Sequence, residues 1–211
     1  MKTIVILATY IGVVNRGAET FVIELVKKLS NDFNFEIYSL GSCSEISDKI
    51  IEIDLKLPIW FNLHQRFYNV FFFYKYICDF IYTVIPSQIE QKYFTNAVFS
   101  NYLNHRKDLD LIFPSNGYFG VKFARKFRDQ KTIPFIYTGH GGVGEGERKI
   151  LLESPDCYIA LTKFHQIWAS RYSQNVVKIN NGVDIMRFKP FPILKKKRTK
   201  NHIMCCSINT I

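Results

Sequence analysis

The chain has 211 residues, of which 47% are hydrophobic and 22% charged, a balance that buries a sizeable core and excludes a solvated, disordered chain. Its formal net charge is +10, but five positive charges fall in one run, Lys195, Lys196, Lys197, Arg198 and Lys200, which leaves the rest only mildly basic. The five cysteines, Cys43, Cys78, Cys157, Cys205 and Cys206, show no ligand spacing, and their odd number argues against a disulfide framework and for a reducing, cytoplasmic setting. The basic run reads as a solvated linker; contact with an anionic membrane or nucleic acid is the sharper alternative, and no nucleic-acid partner is expected.

In chain order, Ile4 to Ala8 is a short, continuously apolar run that suits a strand covered on both faces. A turn with Gly12 and Gly17 follows. Ala18, Phe21, Val22, Leu25, Val26 and Leu29 then fall on one helix face, with Glu19 near the start and Lys27 and Lys28 near the end, in the sense the macrodipole favours. Phe35 to Ser39 predicts a second strand and Ile50 to Ile53 a weak third. Further apolar runs at Leu109 to Phe113, Ile133 to Tyr137, Cys157 to Leu161 and Val176 to Ile179 alternate with helical patterns near Gly117 to Arg128 and Lys163 to Tyr172. Such alternation predicts an α/β fold: a Rossmann-like parallel sheet with helices on both faces. Lys122, Arg125, Lys126 and Arg128 are expected on the outer face of their helix without partners.

The segment from Leu57 to Pro86 is crowded with aromatic residues, Phe72 and Phe73 among them. Lys75, Asp79 and Thr83 give it a narrow polar stripe, which opposes a membrane span and predicts an amphipathic helix with a wide apolar face. That face either packs against the sheet or forms a surface for a membrane or a lipid-like acceptor.

Ligands of an open parallel sheet bind beyond the carboxyl ends of the strands, so the loops there carry the candidates. In YIGVVNRGAE, Tyr10 to Glu19, Gly17 opens the first helix and offers backbone N–H groups to a phosphate, or serves only the turn. Ala18 and Glu19 stand where a P-loop needs Lys and Ser or Thr. In TGHGGVGEG, Thr138 to Gly146, the glycines 139, 141 and 144 satisfy a bare GxGxxG, but late in the chain and with no acid after the next strand, which ranks a nicotinamide dehydrogenase low. His140, alone in a glycine-rich loop, is the best single candidate for function. His64, His105 and His202 have no companions, His165 is expected to be exposed one turn into a helix, and no spacing argues for a metal.

Four segments, in order, resemble the N-terminal half of family 4 glycosyltransferases: RGAETFVIELVKKL from Arg16, IPFIYTGHGG from Ile133, CYIALTKFHQIWASRY from Cys157, and VVKINNGVDIMRFKP from Val176. The resemblance implies the N-terminal half of a GT-B fold over residues 1–190, followed by a basic linker and the first strand of a donor-binding domain over 191–211. It implies a retaining transferase that moves a hexose-type sugar from a nucleotide sugar to a saccharide or lipid-linked acceptor, without metal or other cofactor. His140 would be catalytic beside the donor sugar; Arg16, Gly17, Gly139 and Gly141 would line the donor site, with Arg16 in place of the family's usual glycine. Asn181, Gly182, Val183 and Asp184 would shape the hinge, and Phe72 and Phe73 would face the acceptor or the cytoplasmic side of a membrane. A separate donor-domain polypeptide is an implied partner, since the family's donor-binding residues lie in the second domain. The reading from another class is a non-catalytic binding or scaffolding module, or the remnant of a truncated gene.

Overall fold

The computed structural model describes residues 1–14, 16–55, 88–115 and 117–182. The aromatic segment with Phe72 and Phe73, the basic run, Val183 and Asp184, and Cys78, Cys205 and Cys206 lie outside the described residues. Met1–Asn180 form one compact unit.

Its strands are β1 (Lys2–Leu7), β2 (Phe33–Ser39), β3 (Ile50–Glu52), β4 (Leu111–Pro114), β5 (Ile136–Gly139), β6 (Cys157–Ala160) and β7 (Val176–Lys178). Every pairing is parallel, in the orders β3-β2-β1-β4 and β5-β6-β7. A parallel bridge between Ile112 and Phe135, with the Ile112 amide donating to Pro134 O at 3.0 Å, joins β4 to the second set. The fold is therefore Rossmann-like α/β, with strand order reversing between β1 and β4.

The helices are α1 (Gly17–Leu29), α2 (helical over 88–98 and continued by a π-helical turn, Phe99–Leu103), α3 (Gly117–Lys131), α4 (Glu145–Leu152) and α5 (Lys163–Ala169). A strand sends successive side chains to opposite faces, and β1 shows what that does here. Val5 and Leu7 join a core cluster with Phe94 and Val98 of α2 and Val121, Ala124 and Phe127 of α3. Ile6 and Ala8 join a second cluster with Val22 and Val26 of α1. Helices thus cover both faces, and a continuous apolar run is what such a strand requires.

Three features differ from what the sequence predicts. The fifth strand begins at Ile136 rather than Ile133, because Pro134 has no N–H to donate to a ladder. Helix α2 falls where polar residues interrupt the apolar pattern, although Phe94, Val98 and Phe99 recur at helical spacing and are buried. The basic face of α3 is also not idle: Arg125 Nη1 donates to Glu153 at 3.1 Å, and Arg128 lies over the Phe135 ring and within 3.7 Å of Asp156.

Candidate functional site

The loop after β1 is anchored to its neighbour strand by its own backbone. Ala8 N donates to Tyr38 O at 3.0 Å, Leu40 N to Thr9 O at 2.9 Å, and the buried Ser39 hydroxyl to Ile11 O at 2.9 Å. Gly12 takes a φ of +76°, and a Cβ there would sit 2.0 Å from Ser42 O, so only glycine fits this turn. The chain then reaches α1, whose first turn is capped by no side chain.

Arg16 and Glu19 form the first polar pair of the site. Arg16 donates through Nη2 at 2.7 Å and Nε at 3.3 Å to the two oxygens of Glu19, which is 2% exposed. The Arg16 side chain stays more than half exposed, with its guanidinium over the Tyr10 ring and its charge held still more firmly by this bidentate bond. Tyr10 in turn donates to Glu90 of α2 at 2.9 Å; burial, and then the nearby Glu90 charge, push its hydroxyl up. Next to Glu90, a cavity of about 520 Å³ is lined by Leu40, Glu52, Ile53, Asp54 and Leu55. A Cβ at Gly17 would meet nothing, so the entrance to α1 is open.

His140 follows β5 and stands against α1, its ring 5.0 Å from that of Phe21 in an edge-to-face contact. Burial lowers its pKa below the ordinary histidine value, while the Glu19 charge pulls the other way, so the imidazole is neutral at pH 7. Its Nε2 is buried and, among the described residues, has no hydrogen-bond partner. Among the described residues two other buried side-chain atoms share that condition, Ser115 Oγ after β4 and Thr138 Oγ1 within β5. All three stand at or next to the carboxyl ends of strands, and unpaired buried polar atoms are uncommon enough that each calls for a water or a ligand group.

The family-model and curated-protein searches match nothing in this chain. The site therefore stands on its own geometry.

A second polar group lies behind the glycine loop. Glu147, buried in the first turn of α4, accepts from Gly141 N at 3.0 Å and from the Tyr158 hydroxyl at 2.6 Å. His165 Nε2 lies 2.9 Å from the same hydroxyl. A phenol has one proton, which goes to the carboxylate, so His165 Nε2 carries its own proton and donates. Burial raises the Glu147 pKa and lowers that of His165, and burial followed by the Glu147 charge raises that of Tyr158. Tyr137, from β5, is pushed up by burial and by the same carboxylate.

The structure thus separates the sequence candidates. Arg16 and His140 are linked through α1, Arg16 by its bonds to Glu19 and His140 by its contact with Phe21 and the Glu19 charge, and Gly17 opens the same helix. Gly139 and Gly141 instead touch the second group: a Cβ at Gly139 would lie 2.1 Å from the Tyr158 hydroxyl and 2.4 Å from His165 Cε1, and one at Gly141 would lie 2.7 Å from Glu147 Oε1. His165 is corrected from an expected surface position to 4% exposed. Its helix is turned against its own hydrophobic pattern, since Phe164 and Ile167 are exposed while His165 and Ala169 are buried. The Thr162 hydroxyl starts that helix by accepting from the His165 amide at 3.1 Å. His105 is exposed, as are Asn181 and Gly182. Sequence reasoning missed Glu147, Tyr158, Ser115 and Thr138; the one available signal was an acid, Glu147, placed in the first turn of a helix after a glycine loop. Among the described residues no group of three His, Cys, Asp or Glu is placed to hold a metal ion, and no helix is long and apolar enough to cross a membrane.

Proposed function

We propose that the chain is the acceptor-side Rossmann domain of a retaining, nucleotide-sugar-dependent glycosyltransferase that moves a hexose-type sugar to a saccharide or lipid-linked acceptor at the cytoplasmic face of a membrane. The observation that carries the reading is the unpartnered Nε2 of a neutral His140 at the carboxyl end of β5, beside the uncapped start of α1. A neutral imidazole both donates and accepts, which suits a sugar hydroxyl rather than a phosphate. The phosphate-compatible groups lie next to it. Arg16 commits Nε and Nη2 to Glu19 while its side chain stays more than half exposed, and α1 offers first-turn N–H groups with the positive end of its dipole. The cavity lined by Glu52, Asp54 and Glu90 supplies carboxylate acceptors for acceptor hydroxyls. The family-like segments fall in α1, β5, β6–α5 and, over its described residues, β7.

Transfer brings donor and acceptor together in a closed cleft, so a donor-binding domain is needed opposite this one. The test is a transfer assay over a panel of nucleotide sugars, with the chain alone and mixed with a separately expressed donor domain of the family. Sugar transfer or donor hydrolysis that appears with the mixture and drops at least about 100-fold in His140→Ala supports the reading. Absence of turnover and of nucleotide-sugar binding in every combination overturns it.

A further inference from the structure

His140 lies between two glycines, and one buried hydrogen-bonded group holds both. On its amino side, Gly139 lies against the Tyr158 hydroxyl and the His165 ring, so closely that not even a methyl group fits. On its carboxyl side, Gly141 donates its amide to Glu147. Glu147, Tyr158 and His165 come from α4, β6 and α5; the Tyr158 hydroxyl donates to the carboxylate, and His165 Nε2 lies 2.9 Å from that hydroxyl, placed to donate to its oxygen. Every polar atom in it that faces the loop has a partner, in contrast to His140 Nε2. Three elements of separate sequence origin thus converge on the two glycines that flank one residue.

We propose that Glu147, relayed through Tyr158 to His165, is a positioning residue that fixes the His140 imidazole against Phe21 and the start of α1. The carboxylate sets the direction of the chain, because an ion that only accepts leaves Tyr158 no choice but to donate to it and to accept from His165. Glu147→Gln keeps the shape and one acceptor oxygen for Gly141, but its amide donates to Tyr158 and reverses the chain, so the Tyr158 proton goes to His165 Nε2 and the tautomer of that ring changes. Tyr158→Phe keeps the ring and cuts the chain. The groups that face His140 in both variants, Glu19 and Phe21 of α1, are untouched. That His140 meets a donor sugar rests on the function proposed above; that the group holds His140 in place does not.

The experiment is nuclear magnetic resonance on protein labelled in its histidine rings and backbone amides, with no ligand added. In the parent protein His165 shows the Nε2–H tautomer and His140 titrates below the ordinary histidine range. In Glu147→Gln the His165 tautomer switches, and in Tyr158→Phe the Gly141 amide exchanges with solvent at least about tenfold faster, in line with loss of about one hydrogen bond's support. In both variants the His140 titration moves up toward the ordinary range as the ring loosens from its buried seat. Folded variants in which the His140 titration and Gly141 exchange match the parent overturn the proposal. Tyr158→Phe preserves the packed volume and decides the matter if Glu147→Gln fails to fold. Nucleotide sugars that leave the His140 resonances of the parent protein unmoved count against the proposed function alone.

Discussion

Two sets of buried polar groups lie at the carboxyl ends of neighbouring strands and are treated in opposite ways. Glu147, Tyr158 and His165 satisfy one another and the Gly141 amide at distances of 2.6 to 3.0 Å. Ser115 Oγ, Thr138 Oγ1 and His140 Nε2, one or two strands away, satisfy nothing. Burial costs polar groups their hydration in either place, most of all a carboxylate, so atoms left unpaired stand out against a set that is fully paired. The closed set lies against a loop; the open set calls for a water or a ligand group.

The contrast breaks first if the closed set proves dispensable. Glu147→Ala removes the acceptor of two donors and opens a cavity, and urea unfolding should show a loss of roughly 3 kcal/mol or more. Gly139→Ala should follow at about 2 to 3 kcal/mol, because its Cβ would sit 2.1 Å from the Tyr158 hydroxyl and the sheet must give way. A soluble Gly139→Ala protein of unchanged urea midpoint would mean that the loop is not pressed against the closed set.

Acid tests both sets together. Burial lowers the folded-state pKa of His140 and of His165, so the stability tied to these neutral rings is complete above the unfolded value of about 6.5 and is lost as pH falls through the folded values. Glu147 runs in the opposite sense: its folded pKa is raised, so its contribution is present at low pH and lost as pH rises through the folded value. Comparing the urea midpoints of the parent and His140→Asn at pH 7.5 and 5.5 cancels Glu147, and the fall on acidification should be smaller in the variant. The smallest effect belongs to the open set. Ser115→Ala and Thr138→Val should change stability by no more than about 0.5 kcal/mol, since neither hydroxyl has a bond to lose. A loss above about 1 kcal/mol in either would assign that hydroxyl a partner inside the protein.

The scaffold was largely legible in the sequence, because a parallel sheet covered on both faces demands continuous apolar strands and one-sided helices. Val5 to Ala8 and the Val22, Val26 stripe show that directly. The place of His140 just past a strand was legible for a related reason: it follows an apolar run into a glycine-rich loop. Its supports were not. Glu147, Tyr158 and His165 sit eleven and seven residues apart along the chain, and their meeting depends on how α4, β6 and α5 pack, which no local spacing encodes. On α5 the hydrophobic pattern even points the wrong way, because His165 turns inward to meet both the Tyr158 hydroxyl and the Tyr158 ring while Phe164 and Ile167 face out. Gly139 and Gly141 likewise read as ligand-facing glycines, whereas their bare Cα positions make room for the closed set.

The most direct test of the division between the two sets is a titration of the ring-labelled parent protein with nucleotide sugars, following His140 and His165 side by side. The account predicts that a binding nucleotide sugar shifts the His140 ring resonances while those of His165 keep their tautomer and position. Saturable binding that leaves His140 unmoved, or that moves His165 as much, would contradict it.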